Sequence, residues 1–300
     1  MMTNPKETDG TTFGNSWLFK SLISLLGWVN IKIIYFIAAV FVVPITLVVS
    51  KGARITYHYY RYRRHFSKLK SLWATYCNNR IFSQTVIDKF AMYAGHKFKI
   101  AYHGIDKFNE LTSSQEPLLM LNAHIGCSEI VGYSYKVEKP CNVLVYGGEK
   151  QSLMDYRKAL FERMNMHMIP VGFGESHSQD IIEALDRGET INVFADRFMT
   201  ENKVVTSTIH GNKVNLARGP FSLATTRGLS VIMVSAMKER NGSYTAYLTP
   251  LEYDKTLTSR QQRQSLADAY TAEIERLLEM YPYQWFNFSD LWAENISTNK

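Results

Sequence analysis

The sequence predicts an α/β fold in which helices flank a mostly parallel sheet, with an N-terminal membrane-associated helical segment. Two observations indicate the sheet: seven short apolar runs follow residue 82, and helical patterns of about 10–15 residues separate most of them. A third observation, an uncharged stretch at residues 33–49, indicates the membrane segment. An apolar content of 46% is ample for a core and argues against a chain that is disordered throughout.

The basic charge of the chain is concentrated near its N-terminus. The sequence has 34 Lys and Arg against 27 Asp and Glu, yet residues 1–80 hold 11 of the bases and only two of the acids. Basic residues beside an apolar segment typically contact anionic lipid headgroups and mark the cytoplasmic side of a membrane. We therefore expect this region to associate with a membrane.

The apolar segment 33–49 is the candidate for membrane insertion. As a helix it would span roughly 25 Å, slightly less than a hydrocarbon core of about 30 Å, and Pro44 would kink it. It is expected either to cross the membrane or to enter one leaflet, and a buried core helix is the alternative. Residues 16–28 precede it with a serine cap and two tryptophans, which predicts an interfacial helix. No cleavage site follows, so a signal peptide is not expected.

The stretch 51–70 interleaves basic residues with tyrosines. Such a pattern also occurs in proteins that bind RNA and on solvated helix faces. Because this patch directly follows the apolar segment, lipid headgroups are the favoured partner. Nucleic acid is not predicted as a partner.

Strand-like and helical patterns alternate from residue 82 onward. A hairpin is expected at Asn241-Gly242, between the last two strands, and the chain is expected to close with a long helix over 258–280. The predicted strands are 97–104, 117–124, 141–147, 167–173, 190–196, 229–238 and 243–252. The helices between them are 126–137, 150–165, 178–188 and 217–228.

Two regions are predicted from these patterns. Residues 1–80 form a membrane-associating helical region, and residues 81–300 form an α/β domain. Three cysteines without CxxC spacing argue against a disulfide framework or a zinc site and fit a reducing compartment. Neither a metal nor a bound cofactor is predicted, since no Walker loop, complete dinucleotide motif or recognisable ligand set is present.

The stretch LNAHIGCSEI, residues 121–130, combines a histidine and a glutamate at the end of a predicted strand. Ligands of open α/β sheets gather at the carboxyl ends of strands. His124 and Glu129 cannot pair side by side within one continuous helix, but they can meet across a strand–turn–helix junction. Glu129 is then expected to orient the imidazole, which leaves the other ring nitrogen free as a base. A purely structural pair is the alternative.

This stretch resembles the His-x4-acid motif of the lysophospholipid acyltransferase superfamily. Residues 80–292 resemble the bacterial branch that contains the lipid A lauroyl and myristoyl acyltransferases, on four motifs: LLMLNAHIGCSE, GETINVFADRF, ARGPFSLATTRG and YPYQWFNFSDLW. The first and last of these motifs are fairly specific in combination. The resemblance implies transfer of an acyl group from a thioester to a hydroxyl or amine, usually on a membrane lipid.

The resemblance also implies roles for individual residues. His124 is the general base and Glu129 orients it. Asp196 and Arg197 lie near the acceptor, with a local ion pair as the alternative. Arg218 opens a helix whose N-terminus suits an anion or a thioester oxygen, with a plain helix start as the alternative. The WFNF segment, residues 285–288, is expected to pack in the interior and not to touch acyl chains.

One position departs from the lipid A enzymes. They carry an arginine after an aromatic residue at the end of the strand that follows the histidine motif. Here VYGGEK has Gly147 at that place, and Lys150 is the nearest base and a candidate substrate-binding residue. An acceptor other than a lipid A precursor is therefore expected.

The resulting hypothesis is a membrane-associated acyltransferase on the cytoplasmic face of a bacterial inner membrane. Its donor is expected to be acyl carrier protein or CoA thioester, and its acceptor a membrane lipid. The alternatives are a non-catalytic lipid-binding protein on the same fold and an RNA-binding membrane protein.

We expect the full chain to sediment with membranes and to require detergent for release. Each base near an anionic surface contributes about 1 kcal/mol that salt screens, whereas the inserted apolar segment is insensitive to salt. Sedimentation before and after a high-salt wash tests this. Complete extraction by salt would contradict insertion and leave a peripheral electrostatic attachment.

Overall fold

The computed structural model describes residues 26, 28–135, 138–146, 158, 161–162, 164–171, 176–198 and 203–293. Helix α1 spans Ile31–Val49 and contains a π-helical turn at Ala38–Val42. Helix α2 covers Lys51–His58 and continues as a π-helical turn over Tyr59–Arg63. The other helices are α3 (Lys68–Tyr93), α4 (Ile105–Ser113), α5 (Glu129–Ser134), α6 (Ser176–Asp186), α7 (Arg218–Arg227) and α8 (Ser259–Met280).

Seven strands form the central sheet in the order β1-β9-β8-β2-β5-β3-β4. Neighbouring strands are parallel except β8 and β9, which form the expected antiparallel hairpin. The predicted α/β class with a mostly parallel sheet is thus confirmed. The strands are β1 (Ile100–His103), β2 (Leu118–Asn122), β3 (Cys141–Tyr146), β4 (Met166–Val171), β5 (Thr190–Phe194), β8 (Ser230–Lys238) and β9 (Tyr244–Pro250).

Strand β2 lies in the middle of this sheet and is buried on both faces. Leu119 and Leu121 face one apolar core together with Phe221 and residues of α8. Leu118 and Met120 face the opposite core. An uninterrupted apolar run is the pattern of a strand covered on both sides, so the sequence of β2 already indicates that both of its faces are buried.

A second, two-stranded sheet was not predicted. It pairs β6 (Val204–Ile209) with β7 (Asn212–Ala217). The turn between these strands has positive φ at His210 and Gly211, as a tight hairpin turn requires. The alternation of β-branched and polar residues in VVTSTI was the signal that could have identified it. Ser207 joins this hairpin to α8 through a 2.6 Å hydrogen bond to Asp268.

Several predicted elements lie outside the described residues. They include most of the helix 150–165 and most of the interfacial segment 16–28. Trp28, at the end of that segment, is described and is fully exposed to solvent or lipid. Helix α3 continues without a break through residue 80, so the two predicted regions, 1–80 and 81–300, share this helix.

Helix α1 is long and apolar enough to cross a membrane, and only 11% of its most apolar 18-residue stretch is buried. Ala38 on its inner face packs against Ile87 and Ala91 of α3. Its outer face exposes large apolar side chains, among them Phe36, Phe41, Ile45, Val48 and Val49. An exposed apolar surface of this kind favours association with a membrane.

A buried ionic cluster ties α1 to the sheet. Asp88 of α3 is fully buried and pairs with Lys238 at the end of β8. The same carboxylate accepts hydrogen bonds from Tyr244 of β9 and from Tyr35 of α1. Three parts of the chain therefore meet at one carboxylate, and α1 has a polar attachment to the domain as well as an apolar one.

We expect Lys238→Met to lower the free energy of unfolding by about 3–5 kcal/mol, because it leaves the Asp88 carboxylate buried without its cation. Adding Asp88→Asn should restore part of this loss, since it removes the uncompensated charge. Thermal and denaturant unfolding of the purified protein in detergent measure both effects. Lys107→Met, which breaks an exposed pair with Glu110, is the control and should change little. Equal effects of the two lysine variants would contradict a stabilising role for the cluster.

Candidate active site

The carboxyl ends of strands β2 and β5 bring two polar side chains together. The strands are parallel neighbours, with Leu118 opposite Thr190 and Asn122 opposite Phe194. His124 follows β2 by two residues and Asp196 follows β5 by two residues, so the same register places them side by side. The imidazole Nδ1 of His124 lies 2.7 Å from Oδ1 of Asp196.

The Asp196 carboxylate is completely buried and accepts hydrogen bonds from several parts of the chain. The backbone N–H of His124 donates to Oδ2 over 2.9 Å, so both the ring and the main chain of His124 are held. Trp285 Nε1 and Asn287 Nδ2 also donate to Oδ2, each over 3.3 Å. These contacts satisfy a buried charge and fix the carboxylate in one orientation.

This environment determines the charge of Asp196 and the tautomer of His124. Burial by itself raises the pKa of the Asp196 carboxyl, but His124, through its charge and hydrogen bonds, and the charge of Arg197 lower that pKa below its ordinary value. An ionised carboxylate only accepts, so the proton of a neutral imidazole lies on Nδ1. The lone pair then lies on Nε2, which has no hydrogen bond to the described part of the chain.

The turn after His124 requires a glycine. Gly126 has a φ of 59°, and a Cβ there would lie 2.3 Å from the carbonyl oxygen of Ala236. Cys127 follows and is buried, with its N–H donating to the same carbonyl oxygen over 2.8 Å. Burial raises the pKa of the Cys127 thiol to about 12, although Lys89 acts in the opposite direction. The thiol is therefore protonated at neutral pH.

The predicted partner of His124, Glu129, begins helix α5 and faces the same cavity. Its carboxylate Oε1 lies 2.8 Å from Nζ of Lys89, which comes from α3. Between described residues no hydrogen bond joins Glu129 to His124. The contact expected between these two side chains is thus replaced by one with Asp196, because pairing of β2 with β5 brings the second strand end closer than the first turn of the helix.

The other predicted residues have separate locations. Arg197 is exposed, lines the same cavity as His124 and donates from Nη2 to the carbonyl oxygen of Phe286 over 3.3 Å. Arg218 is exposed at the start of α7 and is not among the described residues that line this cavity. Lys150 and Gly147 lie outside the described residues. Asp196 is completely buried and contacts His124, and its expected location near the acceptor stays a prediction.

A cavity of about 620 Å³ opens at His124. Its lining includes charged and polar side chains, among them His124, Glu129, Lys89, Arg197 and Lys139. Between the sheet and α5 the wall is apolar, formed by Met120, Val131, Val143, Met166 and Val234. A site with a few polar groups and an apolar extension suits a ligand that has a reactive head and a hydrocarbon chain.

Segment 281–288 forms one side of this site, a role that sequence reasoning missed. Trp285 packs in the core as expected, but Phe286 and Phe288 line the cavity. Asn78 of α3 holds the segment in place through hydrogen bonds to the carbonyl oxygens of Tyr283 and Trp285. The sequence QWFNF could have indicated this role, because an amide side chain between aromatic residues indicates a buried hydrogen bond.

Comparison with known proteins shows the family of the chain. A profile of the bacterial lipid A biosynthesis acyltransferases matches residues 73–294, which include His124, Glu129 and Asp196. Among solved structures the chain is similar to the 1-acyl-sn-glycerophosphate (LPA) acyltransferase PlsC from Thermotoga maritima, with 14% identity, coverage of 90% of this chain and 99% of that chain, and a TM-score of 0.39. No curated protein matches the sequence. The family match extends over most of the chain and over the whole site, and the protein therefore belongs to the bacterial lipid A biosynthesis acyltransferase family.

Proposed function

We propose that this acyltransferase moves a fatty acyl group from a thioester of acyl carrier protein or CoA to a hydroxyl or amine of a lipid acceptor, with His124 as the general base. Membership of the family makes the chain an acyltransferase that acts on lipid substrates. The observation that carries the more specific proposal is the 2.7 Å contact between His124 and the buried Asp196, since it directs the lone pair of Nε2 away from the carboxylate.

The proposed reaction needs one base and one charge stabiliser. Nε2 of His124 takes the proton of the acceptor hydroxyl or amine while the acceptor atom bonds to the thioester carbonyl carbon. The carbon–sulfur bond then breaks, and the departing thiolate receives the proton from the imidazolium. Asp196 stabilises the imidazolium between these two steps, as the aspartate does in serine hydrolase triads.

Cationic groups in the wall are suited to the negative charges of this reaction. The Arg197 guanidinium has five N–H donors, and one of them donates to the carbonyl oxygen of Phe286. We assign Arg197 to the developing oxyanion or to an anionic group of the acceptor. Glu129 holds the ammonium group of Lys89 at the same cavity.

The apolar extension of the cavity is assigned to the acyl chain of the donor. Its wall residues are buried between the sheet and α5, where a hydrocarbon chain is removed from water. The exposed face of α1 and the basic N-terminal region support binding at the cytoplasmic face of the inner membrane. A non-catalytic lipid-binding protein on this fold is the alternative, and acceptor-dependent consumption of the thioester distinguishes the two.

We expect His124→Ala to lower turnover by about 10²–10⁴-fold, the usual contribution of general-base catalysis. Asp196→Asn should cause a comparable loss, because an amide neither stabilises the imidazolium nor enforces the tautomer. Glu129→Gln should also lower turnover. Thioester consumption by each purified variant in the presence of lipid extract measures the loss, and circular dichroism verifies the fold.

A double variant separates the two carboxylates. Adding Asp196→Asn to His124→Ala should cause no further loss if both residues serve one proton transfer. Glu129→Gln is then added to His124→Ala in the same way. A further loss of turnover would mean that Glu129 acts through Lys89 and the donor, and no further loss would mean that it acts through the imidazole. Wild-type turnover by a folded His124→Ala protein would contradict the enzyme proposal and favour the lipid-binding alternative.

We expect Cys127→Ala to retain most of the activity, because a buried thiol with a raised pKa is a poor nucleophile. Intact-mass spectrometry after mixing enzyme and acyl thioester without acceptor should find no adduct on Cys127. A trapped thioester at this residue would replace direct transfer by an acyl-enzyme mechanism.

A further inference from the structure

A second cavity, of about 1390 Å³, lies between α1 and α3. Its wall on α1 is formed by one apolar face of the helix, and Val86 and Ile87 of α3 face it from the other side. The α1 residues in the wall run from Ile34 to Thr46 and include Ile37, Ala38, Val42 and Val43. This stretch is about 18 Å long at a rise of 1.5 Å per residue, which exceeds the depth of one leaflet, about 15 Å.

The second cavity adjoins the cavity at His124. Both are lined by Phe82, Val86 and Phe288, so one layer of apolar side chains lies between them. The ring of Phe82 lies 5.0 Å from that of Phe288 and 5.2 Å from that of Phe286, centroid to centroid. Phe288 in turn packs closely on Gly52, where an added Cβ would lie 3.1 Å from the Phe288 Cβ. The partition therefore contains the aromatic rings of Phe82 and Phe288 and the side chain of Val86.

Acyl transfer requires two ligands at His124 at the same time. The first cavity has a volume within the range of single-ligand pockets, about 300–1,000 Å³, and its apolar end is enclosed by the sheet and α5. The second cavity is bounded by a helix whose opposite face is exposed and apolar. A chain that enters between α1 and α3 would therefore pass from the bilayer into the protein without crossing water.

We propose that the second cavity binds a hydrocarbon chain of the acceptor, which enters laterally between α1 and α3 and presents its hydroxyl or amine to His124 at the Phe82–Phe288 partition. This inference rests on the proposed function. The polar residues at the end of the cavity, Ser50, Lys51 and Asp290, lie where a headgroup would meet water. The acceptor is then an amphiphile whose chain remains in the protein during transfer, and a water-soluble acceptor would lack this contact.

Photo-crosslinking tests the site independently of catalysis. The probe is a lysophospholipid with a diazirine on its single acyl chain, in vesicles of equal parts phosphatidylethanolamine and phosphatidylglycerol that contain the full-length protein. After irradiation and digestion, mass spectrometry should find adducts on the cavity face of α1, at Val43 and Thr46, and on Ile87 of α3. General lipid contact should label the outer face as well, at Phe36 and Phe41.

Two cavity-filling variants provide the comparison. Ser83→Trp fills the second cavity from α3 and Thr46→Trp fills it from α1, and neither residue lines the first cavity. Each should abolish labelling of the cavity face and leave that of the outer face unchanged. The matched control is Gln84→Trp, because Gln84 neighbours Ser83 on α3 and is not among the described residues lining either cavity.

Labelling restricted to the outer face, or cavity-face labelling that persists in both filled variants, would overturn the inference. His124→Ala should not change the labelling, because labelling does not depend on catalysis. Failure of the catalytic proposal has a separate sign, the absence of acceptor-dependent thioester consumption by the wild type. Where the wild type consumes thioester with lipid extract, the filled variants should lose most of that consumption and the Gln84→Trp protein should retain it.

Discussion

The buried carboxylate of Asp196 is the constraint on which the site depends. It is removed from water, so each of its hydrogen bonds replaces a solvation contact that burial eliminated. Its partners come from separate parts of the chain: the turn after β2 through His124, and the C-terminal segment through Trp285 and Asn287. The carboxylate therefore holds the His124 imidazole and one wall of the cavity in a single arrangement. This arrangement requires β2 and β5 to be parallel neighbours in their observed register.

Helix α3 connects the site around His124 with the apolar helix α1. Asp88 binds Tyr35 of α1, and the next residue, Lys89, pairs with Glu129 in the cavity. Asn78, three turns earlier, holds the segment that contains Trp285. The same helix thus positions α1, the polar end of the cavity and the wall between the two cavities. A displacement of α1 relative to α3 would alter the second cavity first, because both helices line it.

Most of the sheet could be predicted because its strands are short apolar runs. Strands of a parallel sheet are buried on both faces, so nearly all of their residues are apolar. All seven predicted strands occur in the central sheet. The β6–β7 hairpin was harder to recognise, since its half-exposed strands mix polar and β-branched residues. Helix α3 was also missed, because its core contacts include polar residues such as Asn78 and Asp88, which an apolar-periodicity criterion does not count.

The sequence by itself determined the α/β class, the apolar N-terminal helix and the location of His124 just after a buried strand, since each depends on local pattern or on a motif of adjacent residues. Tertiary structure alone decided which carboxylate holds the imidazole. Glu129 is near His124 along the chain, yet its side chain pairs with Lys89. Asp196 lies 72 residues away and meets His124 because β2 and β5 share one register. Strand order is a property of the whole sheet, set by which apolar surfaces can be buried together, and no local stretch of sequence contains it.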